Sequence, residues 1–517
     1  MSYPSIFNDV IGPVMRGPSS SHCAAALRIG RLCRDLMEGT IDEVLIEFDP
    51  KGSLATTHDG QGSDIGLFGG FLGWEAHDER LPESEKALRE AGIDVKIDIV
   101  DIGFSHPNTY KITLKNNDTR HRVVAISTGG GMIEVIEIDG TSLSMAGDYC
   151  ETLVFVTVPA RVREAIEQTI AFDELVSCDG PTPILEIKSR DFPDDTQLDA
   201  LADLEGVTAI RKLSPVLPVL SRKDLSVPFT SCDEMLAYNE EHGLALWELA
   251  AAYESERSGL SVGQVVAKMG DIVYIMRAAV DRGLEGTAYT DRILGSQSPN
   301  FERQMKEKRL IEGDTFNRVI MYTSAIMEVK SSMGVIVAAP TAGSCGALPG
   351  AVLGVGEGHD REEIVRAMLI AGLIGVFIAT NATFAAEVGG CQAECGSGSG
   401  MAAAAITSLS GGTFEQSLAA ASMALQNSLG MICDPIGNRV EAPCLGRNVQ
   451  AATNALSCTN MALADYDHLI PLDQVIDTMD KVGSSIVPEL RCTSLGGLSI
   501  TPAAKAIESK LGEIEGP

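Results

Sequence analysis

Residues 364–386 carry one charge, Arg366, in a run of Ile, Leu, Val, Phe, Ala and Gly long enough by itself to cross a bilayer. A helix that is apolar on every side must lie in lipid or be enclosed by other protein. Here Gly and Ala are frequent, Thr380, Asn381 and Thr383 interrupt the run, and it leads straight into Gly389-Gly390-Cys391. It therefore reads as the buried helix of a large helical body. The surrounding sequence can supply that body: from about Ser231 onward the chain is rich in Ala, Gly, Met and Leu and reads as almost entirely helical.

The first part of the chain has a different pattern. Residues 41–48, 95–102 and 123–127 are rich in β-formers, separated by helical stretches over 24–38 and 82–91. A smaller strand–helix–strand pattern follows, with strands over 153–158, 184–188 and 207–212 and a helix over 160–172. Pro215, Pro218 and Pro228 mark a linker. At 517 residues the chain is long enough for two to four domains. The boundaries expected are 1–147, 148–216, a linker over 217–230, and 231–517. No repeat suggests a solenoid.

A formal net charge of −31, with no Lys/Arg patch, argues against nucleic acid and against an anionic membrane surface. The opening Met-Ser-Tyr-Pro-Ser-Ile-Phe has neither the basic nor the apolar region of a secretory signal, so a cytoplasmic, reducing setting is expected. Seven of the twelve cysteines follow residue 340. Three of them, Cys391, Cys433 and Cys444, stand beside Gly389-Gly390, Pro435 and Pro443, which suit close backbone approach and fixed loops. Their spacings of 42 and 11 residues match no zinc-finger pattern. Buried cysteine is also an ordinary small hydrophobe, so the residues alone leave both packing and metal binding open.

Arg16-Gly17-Pro18-Ser19-Ser20-Ser21-His22 resembles the G-P-S-S-S-H signature of the iron–sulfur-dependent (type 2) L-serine dehydratases. Further matches follow in family order: Ser105-His106-Pro107-Asn108-Thr109, Gly129-Gly130-Gly131, the Ala339 to Gly346 segment, Glu387 to Glu394, Cys433-Asp434-Pro435, Pro443-Cys444 with Arg447-Asn448, and Thr493 to Leu498. They extend over nearly the whole chain. The resemblance implies an α+β protein: an N-terminal α/β serine-dehydratase β domain, a small divergent ACT-like α/β domain, and a C-terminal all-α catalytic domain. It implies a [4Fe–4S] cluster held by Cys391, Cys433 and Cys444, with one iron left for substrate, and a cytoplasmic homodimer acting on a small amino acid. Ser19, Ser20, Ser21, Ser63, Asp64, Thr341, Ser344, Arg447 and Asn448 are its implied substrate-binding residues, and His22, His58, Gln61 and His106 the catalytic candidates.

This chemistry answers a physical need. Eliminating water across Cα–Cβ requires a base for a weakly acidic proton and help for a poor leaving group, and a Lewis-acidic iron supplies the second. The enamine released tautomerises and hydrolyses to a keto acid and ammonia. Pyridoxal phosphate would need a lysine in a recognisable setting. Lys268, Lys306, Lys308, Lys330, Lys481, Lys505 and Lys510 offer none, so that cofactor is not expected. The serine motif also suits a helix N-cap before Ala24-Ala25-Ala26, and both roles can hold together.

The pattern breaks at Thr57-His58-Asp59-Gly60-Gln61-Gly62-Ser63-Asp64, where family members typically read G-H-G-T-D or G-H-H-T-D. Gln61 stands in place of a histidine that is a candidate base, and glutamine cannot take a proton. Three readings follow: His58 as a relocated base, a related lyase for another β-substituted amino acid such as threonine or cysteine, or an inactive amino-acid sensor. Cys433-Asp434-Pro435 is followed by Ile436-Gly437-Asn438 where the family usually has V-A-G, and Asn438 and Arg439 are candidates to alter the pocket wall or to be solvated loop. The chain ends Glu515-Gly516-Pro517, without the terminal cysteine that covers the free iron in some members, and Cys492 is not taken as its equivalent. Cys395 and Cys345 are read as packing or pocket-lining residues rather than ligands.

Overall fold

The structure, a computed structural model, describes residues 3–104 and 106–514. Ser105 and the terminal Glu515, Gly516 and Pro517 lie outside the described residues. The protein is mixed α and β, with helix predominating.

A six-stranded sheet runs in the order Asp94–Ile99, Glu43–Phe48, Thr109–Lys115, Arg120–Gly129, Met132–Ile138, Thr141–Met145. Its first pair is parallel and the others antiparallel. The buried side chains Tyr110, Ile112 and Leu114 alternate along their strand, as a half-covered sheet requires. They pack with Ala25, Ala26, Ile29, Leu32 and Leu36 of the Ala25–Leu36 helix. Thr109–Lys115, Met132–Ile138 and Thr141–Met145 are strands that composition did not single out. Lys, Glu and Ser on their solvent face dilute the apolar signal.

A second sheet, in the antiparallel order Val207–Leu213, Cys150–Val156, Ile184–Ser189, Glu174–Cys178, carries the helices Pro159–Thr169 and Asp195–Ala202 on one face. Val154, Val156, Leu185 and Ile187 meet Val162, Ile166 and Leu201 there. Its other face sends Leu153, Phe155, Cys178 and Ile184 into the core of the first sheet. Every residue of its two central strands is therefore buried.

After residue 231 the chain is helical apart from Ile336–Val337. The helix Arg361–Asn381, capped by Asp360 on Glu363 N and by Glu363 on Asp360 N, is long and apolar enough to cross a membrane, yet 72% of its most apolar window is buried by the rest of the fold. It packs against Leu246–Ser258, Val262–Glu285 and Ser397–Leu409.

The chain's beginning lies inside this helical body. Ile6, Phe7, Val10, Ile11 and Met15 are buried in its core. Gly372 and Gly375 of the central helix make room for them: a Cβ on Gly372 would lie 2.7 Å from Ile6, and one on Gly375 2.1 Å from Val10. Buried Glu254 accepts hydrogen bonds from Ser5 Oγ and Ile6 N, both at 2.7 Å, and burial pushes its carboxyl up to about 7. Val14 and Met15 then pair antiparallel with Val337 and Ile336.

The next contact is also set by glycine. The Ala25–Leu36 helix crosses Ser63–Phe71 so closely that a Cβ on Gly66 would sit 2.1 Å from Cys23 O, and one on Gly70 2.3 Å from Leu27 O. We expect Gly66→Ala to destabilise the protein by about 1–3 kcal/mol. Gly263→Ala, where a Cβ meets nothing within 4 Å, should be neutral or slightly stabilising. Thermal midpoints of the two variants check this.

Candidate active site

Three loops bring the three cysteines together. Cys391 follows Gly390, whose φ of +72° and crowded Cβ position (2.9 Å from Met431 O) suit glycine alone. Cys433 lies in an extended segment bridged to 490–492, with Cys433 N donating to Leu490 O and Cys492 N to Cys433 O, each at 2.8 Å. Cys444 opens the helix Cys444–Leu463 directly after Pro443. All three are buried, and Cys391 and Cys433 share a small apolar cluster with Cys395, Cys492 and Ala347.

Cys433 and Cys444 line a narrow cavity with Cys492, Glu387 and Glu394 from the helical body, and with Ser19, Ser21 and Gln61 from the α/β part. The serine loop is a wide turn, Ser20–Ala24, running into the helix at Ala25, and its N-cap residue Ser19 makes no side-chain cap bond. The serines are thus free of ordinary capping. Ser20 Oγ accepts from Ala342 N (3.2 Å), and Ser21 Oγ donates to Glu387 Oε1 (3.1 Å).

The histidines are placed unequally. His22 is fully buried, with Nδ1 3.0 Å from Ser19 Oγ and Nε2 2.8 Å from Thr57 Oγ1. Thr57 Oγ1 donates to Ser53 O, so it accepts from His22 Nε2–H, and His22 Nδ1 accepts from Ser19. Burial, aided by nearby His58, pushes the His22 pKa down to about 3, and the ring is neutral. His58 does not line the cavity. Its Nδ1 lies 2.8 Å from Asp64 Oδ2 and its ring packs 5.1 Å from Phe48. Burial opposes its charging, but Asp64 and Asp59 hold its pKa above the usual value. Ser63 is likewise engaged elsewhere, 2.9 Å from Tyr110 OH. Gly62, at φ +85°, turns the chain between Gln61 and the helix Ser63–Phe71, and so separates Gln61 from Ser63 and Asp64. Gln61 Nε2 points to Cys492 Sγ at 3.7 Å. His106 is half-buried; its Nδ1 accepts from Asn108 N (3.2 Å), and burial lowers its pKa against the pull of Glu387.

The remaining candidates build the walls. Thr341 Oγ1 donates to Glu394 Oε1 (2.6 Å), and Ser344 closes the same turn. Asn448 accepts from Gly346 N and Ala347 N and donates to Gly343 O and Cys444 O, which fixes the Cys444 helix to the 341–347 turn. Arg447 pairs with Asp434, which also accepts from Leu498 N (2.7 Å).

Four further residues belong here that motif reading left unassigned. Glu387 is buried and Glu394 half-buried, and desolvation of the carboxyl raises the pKa of each, that of Glu394 to about 8 with the help of Cys391. Lys330, also buried, donates to Val440 O. Cys492 reaches the cavity through a positive φ of 59°. The carboxylates had a readable signal, since they are acids flanking Cys391 just after a charge-free run. Lys330 had none.

The family described as serine dehydratase alpha chain matches residues 241–499. This chain belongs to the iron–sulfur L-serine dehydratase family. Its members are lyases. The probable L-serine dehydratase alpha chain of Bacillus subtilis is 37% identical over 285 residues, covering 55% of this chain and 95% of that one. The probable beta chain of the same organism is 35% identical over 222 residues, or 41% and 100%. The L-serine dehydratase of Helicobacter pylori is 26% identical over 502 residues, 94% of this family member and 96% of its own length.

For His22, the unfolded chain gains a proton below about pH 6.5, whereas the folded protein does so only near 3. Its stabilising contribution is therefore present above pH 6.5 and lost as pH falls towards 3, about 2 kcal/mol of it by pH 5. We expect wild type to lose more stability between pH 7.5 and pH 5 than His22→Gln, as read from urea midpoints.

Proposed function

We propose that the protein deaminates L-serine to pyruvate and ammonia with a [4Fe–4S] cluster held by Cys391, Cys433 and Cys444. The observation that carries this reading is the convergence of Cys433, Cys444 and the serine loop on one cavity, with Cys391 buried in the same cluster as Cys433. Among the described residues, no three His, Cys, Asp or Glu side chains are grouped to hold a single metal ion. A cluster asks for something else, because each thiolate binds its own iron. Separate thiols in an apolar surround, with buried Lys330 and partly buried Arg447 to offset negative charge, fit such a group. When bound, it supplies a Lewis-acidic iron able to polarise the β-hydroxyl.

The chain's own groups would do the rest. Ser19 and Ser21, whose hydroxyl protons go to His22 and Glu387, offer oxygen lone pairs to the ammonium of a small zwitterion, and Gln61 an amide N–H to its carboxylate. The closed, buried walls keep water from the reacting carbon. Glu394, held by Thr341 and raised to about 8, is uncharged at neutral pH and can donate a hydrogen bond. The same reading makes the 148–216 region an ACT-like domain and the protein a homodimer.

Gln61 favours one second reading, in which the substrate is another β-substituted amino acid whose side group the amide binds. After anaerobic reconstitution, absorbance near about 400 nm and ammonia release from a panel including serine, threonine and cysteine distinguish the two. Cys391→Ser, Cys433→Ser or Cys444→Ser should each abolish both signals. Ammonia release without iron, or none from any substrate, would sink the proposal.

A further inference from the structure

Elimination across Cα–Cβ needs a group that takes a proton, has a free lone pair, and faces the cavity out of reach of bulk water. Most candidates fail one of these conditions. Gln61 faces the cavity but holds no titratable lone pair. His22 has both ring nitrogens engaged, by Ser19 and Thr57. His58 lies with Asp64 and Phe48, off the cavity wall. Glu394 lines the cavity, but its Oε1 is tied to Thr341 and its carboxyl packs against Gly343, where a Cβ would come within 2.7 Å.

Glu387 meets all three conditions. Its side chain is 3% exposed and lines the cavity with Ser19, Ser21, Cys433 and Cys444. Ser21 holds Oε1, while Oε2 is buried and makes no hydrogen bond; the Asn108 side chain lies alongside the carboxyl and, like Ser21, favours its charged form. An unpaired buried carboxylate oxygen is costly, and a substrate proton would satisfy it. Resting on the functional reading above, we propose that Glu387 is the base that removes the Cα proton, the task for which this chain lacks a histidine at position 61.

In this step the proton passes to Glu387 Oε2 and the C–H electron pair becomes the second bond of Cα=Cβ. The Cβ–O bond breaks with its pair on oxygen. The hydroxide released takes the proton back from Glu387, so water leaves and the carboxylate is restored. The enamine goes on to keto acid and ammonia.

Glu387→Gln keeps the shape and an acceptor for Ser21. In the reconstituted holoenzyme it should lower kcat by about 10³-fold, with KM within about threefold and cluster absorbance per chain unchanged. Glu387→Asp restores the carboxylate and should recover about tenfold or more of the lost kcat. A Gln variant that keeps more than about a tenth of wild-type kcat, or that loses the cluster absorbance, overturns the proposal. So does an Asp variant no better than Gln. Wild type that releases no ammonia overturns the functional reading and the base with it, whereas an active wild type beside an active Gln variant overturns the base alone.

Discussion

The packing of residues 5–15 into the helical body is the contact on which the rest of the structure depends. Glu254 fixes Ser5 and Ile6, two glycines of the central helix admit Ile6 and Val10, and the Val14–Met15 strand pairs with Ile336–Val337. Ser19–Ser21 follow within a few residues, so the serine loop can only emerge against the 341–347 turn and the Cys391 segment. The glycine crossing at Gly66 and Gly70 then sets Gln61 beside it. Burial of a few apolar side chains, worth about 1.5–3 kcal/mol each, thus places one wall of the cavity from another part of the chain.

The site concentrates groups that interiors ordinarily reject. Two carboxylic acids, one buried and one half-buried, lie with a buried lysine and several buried thiols within one small region. Each would cost folding free energy if left charged and unpaired. Burial shifts the carboxylates towards their neutral forms, and Asn448 and Thr341 satisfy the turn that supports them. Sites that carry such costs are where function is found.

Much of this was legible in the residues. Apolar runs marked the strands Glu43–Phe48 and Ile184–Ser189, and the charge-free run marked the central helix. Motif order led to the serine loop, Gln61 and the three cysteines. What the sequence could not reveal was direction. His58 and Gln61 are three residues apart, yet Gly62 and the helix start at Ser63 send them to different surroundings. Nor could it show which carboxylate oxygen is left bare, because Ser21 and Glu387 meet across 366 positions. The burial of 6–15 had no periodic signal, since a wide turn and a two-residue strand leave none.

The junction between the two parts of the chain also bears on how such enzymes can be built. In Bacillus subtilis the matching regions are called separate alpha and beta chains, and here the peptide between Leu213 and Cys232 contains no helix or strand. Adhesion between the parts comes largely from the inserted N-terminus, beside which Val219 and Phe229 of that connection are buried in the same core. Joining them in one polypeptide therefore raises the effective concentration of one for the other and guarantees equal numbers of each, while the grip itself would persist between separate gene products.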